Sequence, residues 1–243
     1  GTIHAFCARL LRERPLEVGL DPAFQELPVE ERIRVRRHFW EAYLERLVRD
    51  ADPILEELSD AGLQPSRLWG LFNHLVENPD VDFPTDEVAS PKPSELTEVC
   101  GQLEELVDRA WELMPDHEPQ RSWDPLQKKL RTLHFTRDVT GWKKPPELFD
   151  ALSKLCKSGS TPHKITKNRW KDGDLAKALC DNVNAFGVGD TPAHRLVNRW
   201  YGPRYRLSVR LGLHAARDFA AHRKRTGRLD FQDLLVLTAD LLR

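Results

Sequence analysis

The sequence predicts an all-α protein, an irregular assembly of many helices in which a short strand is expected only at the extreme N-terminus. Apolar residues recur three and four positions apart along nearly the whole chain, the period of helices with one buried face. The apolar–polar alternation of a half-buried strand is almost absent. With 243 residues, 40% of them apolar, the chain has material for a sizeable core, as one large domain or two small ones.

The first helix is expected from His4 to about Arg14, with Phe6, Leu10 and Leu11 on its inner side and Pro15 ending it. The second runs from about Val29 to Asp50, with Ile33, Phe39, Trp40, Tyr43, Leu44 and Leu47 inward. A short helix restarts at Pro53 and stops at Ala61-Gly62, where glycine can take the left-handed cap conformation. Another covers Ser66 to Glu77. Residues 78–93, NPDVDFPTDEVASPKP, read as an acidic proline-rich loop. Ser94 to Leu113 is the clearest amphipathic helix, with Leu96, Val99, Leu103, Leu106, Val107 and Ala110 at helical spacing; Pro115 and Pro119 end it. Further helices are expected over 124–136, 145–157, 174–186, 192–201, 203–226 and 231–242, with basic loops at 137–144 and 158–172. In 203–226 the inner stripe is Tyr205, Val209, Leu213, Ala216 and Ala220, flanked by Arg206, Arg210 and Arg217.

Composition narrows the function classes. No apolar stretch approaches the roughly 20 residues that span a bilayer, so no membrane partner and a cytoplasmic location are expected. The chain opens without initiator Met or leader and reads as a piece of a longer protein. Cys7, Cys100, Cys156 and Cys180 are scattered, with no C-x-x-C and no Cys/His cluster. They read as small buried hydrophobes rather than zinc ligands or disulfides. The formal net charge of −1 conceals a segregation. Residues 1–120 hold 12 Lys/Arg against 26 Asp/Glu, a net −14, and residues 121–243 hold 25 against 12, a net +13. The basic half suits a polyanion. Segment 50–118, with 18 acidic residues against 3 basic ones, predicts a large acidic face turned away from DNA or towards a partner subunit.

Two flanking motifs carry a resemblance. The opening TIHAFCARLLRE is similar to the T-[IF]-H segment that leaves a strand and enters a helix in UvrD, RecB and AddA helicases, and RPLEVGLDPAFQEL looks like its AddA/RecB-type continuation. Near the other end, GRLDFQDLLVLTADLLR resembles the D-F-x-D-L-L helix that returns to the motor domain. The ordered pair, separated by a mostly helical stretch, resembles the inserted 1B subdomain of a superfamily 1A DNA helicase. The resemblance implies three parts: 1–15 from motor domain 1A, 16–228 as the 1B insertion (acidic to about 120, basic beyond), and 229–243 returning to 1A. It also implies neighbouring termini, a parent acting 3′→5′ in double-strand break repair and recombination, a possible exonuclease activity, and a second helicase or nuclease subunit as partner.

ATP and magnesium would belong to that parent, since this chain has no G-x-x-x-x-G-K-[ST] loop. The nearest approach is Ser158-Gly159-Ser160-Thr161, and the only Asp-Glu pair, Asp86-Glu87, falls in a loop rather than at the end of an apolar strand. No cofactor, metal or catalytic constellation is therefore expected within the chain itself. By resemblance, Thr2 and His4 lie at the single-stranded DNA groove; a plain helix cap and a polar surface residue are the alternative. Asp230 and Asp233 read as a cap and a first-turn acid before the last helix, ahead of a metal pair.

Segment 123–177, with 13 Lys/Arg against 6 Asp/Glu, is the best DNA-binding surface. Lys128, Lys129, Lys143, Lys144, Lys164, Lys167, Arg169, Trp170 and Lys171 are the candidate contacts, with Trp142 among them. Loop 164–171 is preferred because a loop can conform to a duplex. The rival reading is a protein-interaction module that docks a partner through the acidic 50–118 face.

Overall fold

A computed structural model of the chain describes residues 2–84, 89–156 and 162–242. Asp86-Glu87 and Ser158-Gly159-Ser160-Thr161 lie outside the described residues. Ten α-helices and one two-stranded ladder occur among them, an irregular all-α architecture. No described helix is long and apolar enough to cross a membrane. The chain divides into two compact units: residues 1–59, 63–85 and 206–243 form unit 1, and residues 60–62 and 86–205 form unit 2.

Unit 1 begins with α1 (Ile3–Glu13), whose first turn is capped by the Thr2 hydroxyl accepting from Ala5 N at 3.4 Å. After a 3-10 turn at Pro15–Val18 come β1 (Gln25–Glu26), α2 (Val29–Arg49), α3 (Ile54–Asp60) and α4 (Trp69–Glu77). The unit closes with the later part of α9 (Pro192–Thr226), β2 (Arg228–Leu229) and α10 (Phe231–Leu241). β1 and β2 pair in parallel, Gln25 opposite Arg228 and Glu26 opposite Leu229. The strands thus sit beside each other well inside the sequence and not at its N-terminal extreme. One core of unit 1 joins Trp40, Tyr43 and Leu47 of α2 with Phe72 of α4 and Leu211, Ala215 and Phe219 of α9. A second joins Cys7, Ala8 and Leu11 of α1 with Leu229 and Leu234, and with Leu241 at the end of α10.

Unit 2 contains α5 (Pro93–Leu113), α6 (Pro125–Thr140), α7 (Pro145–Leu155), α8 (Gly173–Gly187) and the start of α9. Its core packs Leu103, Leu106 and Ala110 of α5 against Leu126, Leu130 and Leu133 of α6, with Leu152 of α7 and Val183 of α8. Three of its helices start with proline in the first turn, where the missing N–H costs no bond. Gly62, at φ 65°, ends the short α3 segment as expected.

Four expectations need correcting. Segments 192–201 and 203–226 are one helix, α9, which runs through Pro203. Gly202 precedes that proline, and without a Cβ it escapes most of the clash that normally drives a pre-proline residue out of the helical region. Its buried face is Val209, Leu211, Ala215 and Phe219, whereas Tyr205 and Ala220 are exposed, so the stripe is rotated from the expected one. In α1 and α2 the residues Phe6 and Ile33 are exposed; α1 buries Leu11 as expected and adds Cys7 and Ala8. Helix α6 continues to Thr140, ending on Gly141 at φ 65°, so the first half of the expected 137–144 loop is helix.

Candidate nucleic-acid interface

The preferred loop, 164–171, is built around a buried acid. Asp124 and Gln127 are both 0% exposed and form a reciprocal cap at the start of α6, Gln127 N donating to Asp124 Oδ1 at 2.8 Å and Asp124 N to Gln127 Oε1 at 2.9 Å. The other Asp124 oxygen accepts from Trp170 Nε1 at 2.8 Å and from Thr166 N at 3.2 Å. Gln127 Nε2 donates to Arg169 O at 2.8 Å, and Arg169 Nη1 donates to Ser122 O at 3.1 Å. The described part of this segment is therefore fixed to α6 from inside. Trp170 is 6% exposed and Trp142 is buried as well, so both are packing residues and neither offers a face to a base in this arrangement.

The lysines stand differently. Lys128, Lys143, Lys144, Lys164, Lys167 and Lys171 are exposed, while Lys129 and Arg169 are half-buried. Lys129 Nζ donates to Lys154 O at 2.7 Å, closing α6 onto the end of α7. Lys167 pairs with Asp174 at 2.6 Å and Lys171 with Asp116 at 2.9 Å. Each lysine holds its acid below its ordinary value, chiefly through the side-chain hydrogen bond. Exposed pairs of this kind are weak and exchange readily with a phosphate.

In unit 1, His4 lies on α1 with its ring 3.2 Å from that of Phe231, centroid to centroid. It lines a small hollow with Arg32, Leu27 and Leu234. Thr2 caps α1, so its hydroxyl is engaged with Ala5 N. Asp230 and Asp233 form the expected cap of α10, Asp233 N donating to Asp230 Oδ1 at 3.1 Å and Asp230 N to Asp233 Oδ2 at 2.9 Å. They also have a role not foreseen, holding the buried Arg223 at 2.9 and 2.6 Å. Burial pushes Asp233 up to about 6, opposed by the Arg223 charge and reinforced by that of Asp230. Among the described residues no group of three or more His, Cys, Asp or Glu is arranged to hold a metal.

A set of arginines and histidines not foreseen lies on α2 and the end of α9. Arg34, His38, Arg46 and Arg49 on α2 face His222, Arg223 and Arg228 across a groove of about 700 Å³. The sequence contains the signal, R-x3-H-x3-A-x3-R-x2-R from Arg34 to Arg49, but it sits within the acidic half, where the overall charge hides it. Comparison with protein-family models and with curated proteins finds no match to this chain.

Proposed function

We propose that the chain is the DNA-engaging helical subdomain, of the 1B kind, of an ATP-dependent UvrD/RecB/AddA-like DNA helicase or helicase-nuclease acting in double-strand break repair and recombination. The observation that carries this reading is at the ends. Helices α1 and α10, which bear the two flanking motifs, share one small core, with His4 on Phe231 and Leu11 buried with Leu234. A segment inserted into a host domain must leave and re-enter it at neighbouring points. ATP and magnesium would be held by other parts of the parent. The task of this chain would be to hold duplex or single strand by sequence-independent backbone contacts, with the exposed Lys128, Lys143, Lys144, Lys164, Lys167 and Lys171 supplying charge in unit 2.

One observation favours a second reading, docking of a partner subunit. Trp111 of α5 and Phe135 of α6 are exposed with their rings 5.6 Å apart, and Val139, one turn on along α6, is exposed as well. Such a patch suits a protein surface better than a phosphate backbone.

The test is fluorescence anisotropy of a labelled duplex with a single-stranded tail, titrated with the chain across a salt series. Micromolar binding that weakens steeply with salt, and falls in a Lys164/Lys167/Lys171→Ala variant, is expected. Arg169 is left intact because it supports the Asp124 network. Absence of binding at low salt sinks the DNA reading and leaves the partner-docking one.

A further inference from the structure

We infer that the groove between α2 and the end of α9, all within unit 1, binds the phosphodiester backbone of a single nucleic-acid strand. The inference rests on the nucleic-acid reading above and gives it a place. Arg34, His38, Ala42, Arg46 and Arg49 follow one another at spacings of four and three, so they form a single stripe along α2. At 1.5 Å of rise per residue the arginines extend over about 22 Å. A row of that length matches a polymer with a charge at each repeat and is too long for one compact anion. His222, Arg223 and Arg228 make the facing wall. Phe39 and Tyr43 give the groove an apolar base, and Ala42, the smallest side chain of the stripe, leaves its middle open.

Every charged side chain lining the groove is cationic. The carboxylates that pair with these arginines are not lining residues: Glu31 holds Arg34 and Arg228, Asp50 holds Arg49, and Asp218 holds Arg46. These pairs are exposed on both sides and so are weak, and an entering phosphate can replace the carboxylate. Arg223 differs. It is 5% exposed and fixed to Asp230 and Asp233, so it shapes the wall while Arg34, Arg46, Arg49 and Arg228 reach the ligand.

The experiment uses the full chain and a labelled oligothymidylate, read by anisotropy in a salt series, together with the side-chain NMR signals of His38 and His222. Two variants probe the groove in different ways. Arg34→Gln/Arg49→Gln removes charge at side chains 80% and 72% exposed, where folding is not at stake. Ala42→Phe fills the middle and leaves the charge unchanged. The expected result is a shift of both histidine signals on adding the oligonucleotide, and binding about tenfold or more weaker in each variant. In the arginine variant the salt slope should also be lower by about 1.4, roughly 0.7 for each phosphate contact removed.

Oligonucleotide binding that is unchanged in both variants, with unmoved histidines, overturns the groove and leaves the DNA reading to other surfaces. A polyglutamate peptide that moves the histidines where the oligonucleotide does not would assign the groove to an acidic protein partner and overturn the nucleic-acid assignment. No binding of the oligonucleotide or the tailed duplex at low salt overturns both the groove and the reading it rests on.

Discussion

Asp124 gathers three donors inside unit 2, the indole N–H of Trp170 and the backbone N–H groups of Thr166 and Gln127. Asp124→Ala would leave all three without their acceptor in a buried site. The expected loss is about 3–5 kcal/mol, read as a lower denaturant midpoint. Trp170→Phe removes one donor from the same carboxylate and should cost about 1–3 kcal/mol. A near-neutral Trp170→Phe would mean that the indole is not needed to hold the basic segment. This network explains why the candidate site was only partly legible. Basic residues and a tryptophan at 164–171 are visible in the sequence. That a single acid 46 residues upstream turns this tryptophan inward depends on tertiary contact, which no local pattern encodes.

Asp233 supplies the pH prediction at the same scale. Its carboxyl is raised to about 6 in the fold, with burial the main cause. The folded chain therefore binds this proton more tightly than the unfolded chain, whose carboxyl titrates near the ordinary 3.8. This group's contribution to stability is thus greatest at low pH, falls as pH rises from about 4 through about 6, and is level above that. Melting temperatures across that window should show the slope in the wild type and lose it in Asp233→Asn, which keeps an acceptor for Asp230 N. A parallel slope in the variant would move the titration to another group.

At the scale of elements, most helices were legible because periodicity and punctuation agree: α2, α5, α7, α8 and α10 lie within a residue or two of where apolar spacing and prolines set them. The failures have local causes. Pro203 reads as a stop, and only the glycine before it lets α9 continue. The short β1–β2 ladder has two residues in each strand, too few for any alternation to register. Helix packing supplies a matched pair of predictions. A Cβ on Gly187 would stand 2.8 Å from Leu155 O, where the end of α8 meets the end of α7, and neither partner is a flexible side-chain tip. A Cβ on Gly101 in α5 would meet nothing within 4 Å. Gly101→Ala should stabilise by about 0.5–1 kcal/mol through helix propensity alone. Gly187→Ala should destabilise, since overpacking at about 1–3 kcal/mol exceeds that gain. Equal effects in denaturant melts would remove the close α7–α8 approach.

Over the whole molecule, the charge segregation of the sequence does not survive folding as two opposed blocks. In unit 1 the late arginines meet early acids, Arg210 with Glu57, Arg228 with Glu31, and Asp218 in turn with the early Arg46. In unit 2 Arg137 meets Asp108, Arg199 meets Glu95 and Lys171 meets Asp116. The net −14 and +13 halves are interleaved within each unit, and Glu57, Glu95, Asp108 and Asp116 of the expected acidic face are already partnered by the chain itself. Two consequences of salt then separate. These pairs are largely exposed and individually weak, so raising ionic strength should move the melting temperature by only about a few degrees. Strand binding through the four exposed arginines of the α2–α9 groove depends instead on counterion release, with a slope near −0.7 per phosphate contact. Affinity should therefore fall by at least about tenfold between roughly 50 and 200 mM salt. Thermal melts and anisotropy run over one salt series test both at once. Stability that collapses together with affinity would mean that the ion pairs hold the fold, and that the loss of binding reports unfolding and not the release of a phosphate backbone.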